Sequence, residues 1–506
     1  MSNLIKDNKE KIINILYITI IVLGSIFVSI SCFHSNMWFD ESYSVAIANH
    51  SFAEIWSIGS NDVHPVLYYW MIHIIIMLTN NNILFVRLFS CLPLIIMSIL
   101  GYTIIRKEFG EKVGLMFSFL SLFMPLCVVY SGEIRMYTWA MLFVVIMSLY
   151  AYKILKEKFC MKNWIIFSIF SLSSAYTHYY GLITAFVINM AIIIFFIIKS
   201  IKSKENVEIN TVYLKNLKCN IFSAIIQIIL YIPWLGTVIN QAKAVSGSFW
   251  IGDPQFLQIL EFQFTGNLPN MEAHLQPIIS WSFIIIMSAY IIYLLIKNRK
   301  IMKPIIITMS IYLIVVAIIL FISKVLKRPI LYPRYFLNIT GLFLFSMAFI
   351  IGNDKNWIRT VASVALIAIV ATITNIGLCK TNYDNTNSKP KEYIQNRIEN
   401  GDILLIDNNG SGFVIATQVI ELGNKTYFWD RKDWNVEKAY KAYGETITSL
   451  DSLKDYKGRI WVLSSGDFSF AKTVKSQFEN SEILEQEEFA VAYQEYQYSI
   501  SLLEVN

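Results

Sequence analysis

Apolar runs of roughly 17–24 residues follow one another along the first three-quarters of this 506-residue chain, and no other feature limits its fold more. Inside a bilayer each backbone N–H and C=O must find its partner within the protein, and a helix of about 20 residues does so while crossing ~30 Å of hydrocarbon. Eleven runs qualify: 12–33, 84–105, 112–130, 136–154, 163–178, 181–198, 220–239, 278–296, 304–323, 335–352 and 358–378. Composition agrees. The chain is 55% hydrophobic and 15% charged, with mean hydropathy +0.51, whereas soluble domains carry about 25% charged residues.

The loops between the runs orient them. Lys6, Lys9 and Lys11 precede the first run. Alternate loops hold Arg106, Lys107 and Lys112; Lys153, Lys156, Lys158 and Lys162; Lys199, Lys202, Lys204, Lys215 and Lys218; Lys297, Arg299, Lys300 and Lys303; and Lys355 with Arg359. All of these fall on one side, which the positive-inside tendency makes cytoplasmic. The net charge of +6 sits largely in those loops and gives no nucleic-acid face. The six cysteines are scattered without a C-x-x-C pair, so neither a disulfide framework nor a metal centre is expected. The first run lacks a small-x-small cleavage site and reads as a retained anchor.

The opposite side receives the 34–83 loop, the 131–135 turn, a tight join at 177–181, the 240–277 loop, the 324–334 segment and the tail from about 380. Segments 42–58 and 66–78 are apolar and aromatic but too short to span. They read as interfacial helices with Trp56, Tyr68, Tyr69 and Trp70 at headgroup level. In the tail, 402–407 and 459–464 read as buried strands, and 413–422 and 436–443 as helices. About 125 residues can bury a core, so residues 380–506 are expected to form a small extracytoplasmic α/β domain beside a transmembrane domain of residues 1–379.

Ionisable groups at membrane depth are costly and mark function. Here they gather on the outer side, in order: Trp38-Phe39-Asp40-Glu41, His64-Pro65-Val66-Leu67-Tyr68-Tyr69, Val86-Arg87-Leu88, Glu133-Ile134-Arg135-Met136-Tyr137 and Pro333-Arg334-Tyr335. With these the chain resembles the GT-C membrane glycosyltransferases, in the branch that includes protein O-mannosyltransferases, the lipid A aminoarabinose transferase and Rgt-type galacturonosyltransferases. Val66 stands where a second proline is usual. The resemblance covers about residues 30–345, and the tail matches no family. It implies an all-α GT-C fold of about eleven spans. It also implies that a hexose or pentose moves, with inversion, from a polyprenyl-phosphate carrier to an acceptor hydroxyl at the outer face of the cytoplasmic membrane. The acceptor class stays open between glycolipid, polysaccharide and protein. No nucleotide sugar is implied, and no G-x-G-x-x-G element opens a helix.

On this reading Asp40 is the general base that takes the proton of the attacking hydroxyl; the plainer alternative is a helix N-cap. Glu41 either binds a sugar hydroxyl or supports the first helical turn. Arg87, Arg135 and Arg334 are candidates for the donor phosphate, where their charge stabilises a leaving group that gains charge as the glycosidic bond breaks; the alternative is snorkelling to the interface. His64 bonds the phosphate or sugar, or caps a helix whose first turn holds Pro65. Glu133 partners an arginine. Tyr69, His178 and Tyr335 line the donor site or belong to an aromatic belt. No cofactor is expected, although Asp40, Glu41, Asp62 and His64 have the chemistry of a divalent-cation site. Two other classes compete: a lipid or sugar transporter or flippase, and a membrane scaffold. Transporters carry repeats and charges near the midplane, whereas the charges here lie at one face.

Overall fold

The computed structural model describes residues 2–247, 251–253, 255–407, 409–429 and 436–506, with side chains from Glu10 onward. Among the described residues nine helices are long and apolar enough to cross a membrane: Glu10–Cys32, Ile83–Phe109, Tyr137–Lys156, Tyr179–Lys202, Val207–Gly247, Leu275–Lys297, Arg299–Leu326, Pro333–Gly352 and Trp357–Asn382. The other two of the eleven expected runs are helical but shorter. Met161–Thr177 has 17 residues. The 112–130 run is broken into Glu111–Phe123 and Pro125–Val129, with Met124 extended at ψ 128°. Proline disfavours the helical conformation of the residue before it, so Pro125 explains the break. Val207–Gly247 is longer than expected, 41 residues, or about 60 Å of helix.

Burial differs sharply among the spans. Tyr137–Lys156 and Pro333–Gly352 are mostly buried within the protein, while Val207–Gly247 and Arg299–Leu326 bare most of their apolar surface. The hydrophobic effect does not drive helices together in lipid, so close packing must. Gly341 shows how tight it is: a Cβ there would lie 2.2 Å from Val145 Cγ2. Where Ile83–Phe109 meets Glu111–Phe123, a Cβ on Gly114 would lie 2.5 Å from the Gly101 carbonyl oxygen.

The chain forms two compact units. One comprises residues 1–32, 62–68 and 87–377; the other comprises 33–61, 69–86 and 378–506. The second therefore comprises the tail and most of the 34–83 loop. The loop holds Phe39–Ala48, Phe52–Gly59 and Leu67–Thr79. The expected 42–58 helix is thus two, parted at Ser51. Ser51 caps the second: its Oγ accepts from the Glu54 N–H at 3.4 Å, and its own N–H donates to Glu54 at 3.1 Å.

The tail folds around a six-stranded sheet, richer than the two strands expected. The strands are β1 (Ile403–Asp407), β2 (Lys425–Trp429), β3 (Glu445–Ile447), β4 (Gly458–Ser465), β5 (Ser481–Ala490) and β6 (Gln497–Val505), in the order β3-β2-β1-β4-β6-β5. The first four are parallel, while β6 and β5 add antiparallel. Leu404, Leu405 and Ile406 of β1 are fully buried, as expected of a parallel strand covered on both faces. A helix, Gly410–Val419, follows β1, and the expected 436–443 helix shrinks to Glu437–Tyr440. The edge strand β5 carries exposed Glu482, Glu485, Glu487 and Glu488 and a bulge at Ile483/Glu485, which discourages edge-to-edge pairing.

Candidate functional site

In the first unit the candidate residues gather around two histidines. A single residue, His178, joins Met161–Thr177 to Tyr179–Lys202, extended at φ −159°, ψ 146°. Its Nδ1 accepts from the Tyr180 N–H at 3.1 Å. The neutral ring must then carry its proton on Nε2, and Nε2 is buried without a partner among the described residues. His64 is buried just ahead of Leu67–Thr79, and its Nδ1 also lacks a partner there. The two imidazoles lie 5.2 Å apart, and the Tyr335 ring is 5.8 Å from His64 and 5.0 Å from His178. Tyr335 is presented by a 3-10 turn that Pro333 opens. Tyr137 adds a ring 6.0 Å from His178. His64, His178, Tyr335, Tyr179 and Gln241 line a cavity of about 200 Å³.

Burial, and then the guanidinium charge of Arg135, hold both imidazoles well below the usual histidine range; Arg334 acts in the same direction, and His178 is lowered to about 3. At neutral pH both rings are therefore uncharged, and the arginines supply the positive charge. Arg135 is buried and Arg334 half-buried, its guanidinium 5.2 Å over the Tyr332 ring. Arg87 is 1% exposed, and its Nη1 donates to the Gly132 carbonyl at 2.8 Å. Neither Arg87 nor Arg135 snorkels. Arg87 instead braces the turn that carries half-buried Glu133 and Arg135.

The acidic motif belongs to the second unit. Asp40 is half-buried in the first turn of Phe39–Ala48. It is not the N-cap, because Trp38 holds that position. Glu41 is fully buried and reaches back, accepting from the Trp38 N–H at 3.3 Å and from the Tyr493 hydroxyl at 2.8 Å. The Ser42 and Tyr440 hydroxyls are 2.7 Å apart, and the Phe39 N–H donates to the Tyr496 hydroxyl at 3.0 Å. Burial first, and then the carboxylates of Asp40 and Glu41, push the Tyr496 hydroxyl's pKa up. Burial raises Tyr440 likewise. Tyr69, expected as a headgroup anchor, is fully buried in this unit, and Tyr68 is fully buried in the other with its hydroxyl 2.8 Å from Ser90 Oγ. Apolar packing wins over the interface for both rings. Tyr440, Tyr493 and Tyr496 were not foreseen, since nothing in the tail marks a partner some 400 positions away. Among the described residues no three His, Cys, Asp or Glu side chains gather as a metal site.

Residues 63–232 match the family model described as dolichyl-phosphate-mannose-protein mannosyltransferase. No curated protein matches the chain in sequence. Among solved structures, ArnT from Cupriavidus metallidurans in the apo state aligns over 96% of this chain and 97% of its own, with TM-score 0.56 and 9% identity. The same protein bound to undecaprenyl phosphate aligns over equal shares, with TM-score 0.52 and 10% identity. At such identities the likeness is one of fold. The chain is thus a polytopic membrane protein that shares the fold of ArnT over nearly its whole length, and its residues 63–232 are similar to the protein mannosyltransferase family.

Proposed function

We propose that the protein is a glycosyltransferase that moves a sugar from a polyprenyl-phosphate carrier to an acceptor hydroxyl at the outer face of the cytoplasmic membrane. The observation that carries the reading is the buried pair of neutral histidines under the field of Arg135 and Arg334, lining a cavity. Fixed positive charge with an uncharged N–H donor suits a phosphate ester that turns into a phosphate dianion as its glycosidic bond breaks. Arg135 and Arg334 hold the phosphate, with Arg87 keeping the 131–135 turn in place. His178 Nε2–H donates to a phosphate or sugar oxygen. Asp40 takes the proton of the acceptor hydroxyl as that oxygen bonds to the anomeric carbon, giving inversion.

The tail of such a donor needs an apolar path. A second cavity of about 320 Å³ shares Leu182 with the first, and both are lined by Tyr179–Lys202 and Val207–Gly247 among other helices. Together their linings run from Val245 to Ala224, about six helical turns or roughly 30 Å, the depth of one bilayer core. The undecaprenyl phosphate bound in the ArnT structure supports this class of carrier.

The test uses purified protein in lipid vesicles with a panel of short polyprenyl-phosphate sugars and crude envelope material as acceptor. Release of free polyprenyl phosphate is measured for the native chain, Asp40→Asn and Arg334→Ala. Release that collapses in both variants supports the reading and names the sugar. No release from any donor, with the protein folded and acceptor present, sinks it and turns attention to lipid transport.

A further inference from the structure

We infer that the C-terminal domain sets the position of the acidic motif through the hydroxyls of Tyr440, Tyr493 and Tyr496, which act as positioning residues for Asp40. The inference rests on the proposed role of Asp40 as base. Phe39–Ala48 has 10 residues, too few to be stable as an isolated helix. Its first turn gets its order from the tail. The residue before Asp40 bonds Tyr496 through its N–H, the residue after it bonds Tyr493 through its carboxylate, and the next bonds Tyr440 through its hydroxyl. The hold continues beyond that turn, where Asn49 Nδ2 donates to the Tyr443 hydroxyl at 2.9 Å and His50 Nε2 lies 2.9 Å from the Ala439 carbonyl. Tyr440 is itself fixed by stacking on Phe413, with ring centroids 4.2 Å apart. Phe413 lies on Gly410–Val419, which starts against Phe39: a Cβ on Gly410 would meet that ring at 3.4 Å.

Burial raises the pKa values of the Tyr440 and Tyr496 phenols, so both hydroxyls stay protonated at neutral pH. Catalytic groups tolerate little misplacement; a shift near 1 Å can cost on the order of 100-fold in rate. The tail, which lies outside the residues that the family model matches, thereby gains a task in the reaction.

The test compares Tyr440→Phe, Tyr493→Phe and Tyr496→Phe with the native chain in the polyprenyl-phosphate release assay. Each keeps its ring and loses one hydroxyl. The expected result is a fall in kcat of roughly 10-fold or more with the KM for donor unchanged, because the proposed phosphate-holding arginines belong to the other unit. Ser42→Ala should match Tyr440→Phe, and the double variant should be no worse than either single one. A tail that only stabilises the fold would lower the melting temperature while kcat of the folded protein stays within twofold, and that result overturns the inference. Asp40→Asn, run alongside, judges the base separately: if it stays active the base assignment fails, whatever the tyrosine variants do. Amide exchange over Phe39–Ser44 gives a readout independent of turnover. Unchanged exchange in both Tyr493→Phe and Tyr496→Phe overturns the inference, and faster exchange confined to that turn supports it.

Discussion

Acidification gives the sharpest test of the buried histidine pair. His178 is lowered from 6.5 to about 3 in the folded protein by burial and the charge of Arg135 and Arg334. A histidine depressed in this way leaves the unfolded state binding more protons below pH 6.5. Its penalty is therefore absent at high pH, grows as pH falls through 6.5 and levels off near pH 3. Between pH 7 and pH 5 the linkage for this one group amounts to about 2 kcal/mol. That figure depends almost wholly on the unfolded value, because at pH 5 the folded ring stays neutral even if its pKa is a unit higher. His64 is shifted in the same direction and adds to it. The assay is thermal unfolding in detergent micelles at pH 7, 6 and 5 for the native chain and His178→Gln, whose amide retains a donor but does not titrate. The native protein should lose stability faster than the variant over this range. Equal slopes would refute the argument that His178 is held buried and neutral.

Three further outcomes follow from the packing and charge. Arg334→Ala should cut donor turnover by about 100- to 1,000-fold, as loss of a transition-state charge partner does, read by single-turnover release. Gly341→Ala should cost about 1–3 kcal/mol through overpacking, read as a lower melting temperature, since its new methyl meets Val145 at 2.2 Å. Arg87→Ala should leave the Gly132 carbonyl without its 2.8 Å donor at about 1–3 kcal/mol, and limited proteolysis should show the 131–135 turn loosened.

The run of charged motifs was readable because each is local. An arginine beside a tyrosine at a helix end declares itself within five residues, as at Glu133–Tyr137 and Pro333–Tyr335. His178 was visible as the residue of a very short turn, but its tautomer was not, since the Tyr180 N–H that selects it is a matter of geometry. A guanidinium at a helix end reads from sequence as an anion ligand, whereas the bond from Arg87 to the Gly132 carbonyl is a matter of tertiary geometry. Asp40 as an N-cap was reasonable from residue type, yet the cap lies two residues earlier, at Trp38.

Membrane residence and the order of the charged motifs follow from sequence alone, because hydrocarbon imposes about 20 apolar residues per crossing. That constraint acts within one segment at a time. What the tertiary structure decided involves segments far apart in the chain. It brings His64 to His178 and Tyr335, and ties Phe39, Glu41 and Ser42 to three tyrosines of the tail. Such contacts depend on which side chains exclude water together, and a linear pattern of hydrophobicity holds no record of that choice.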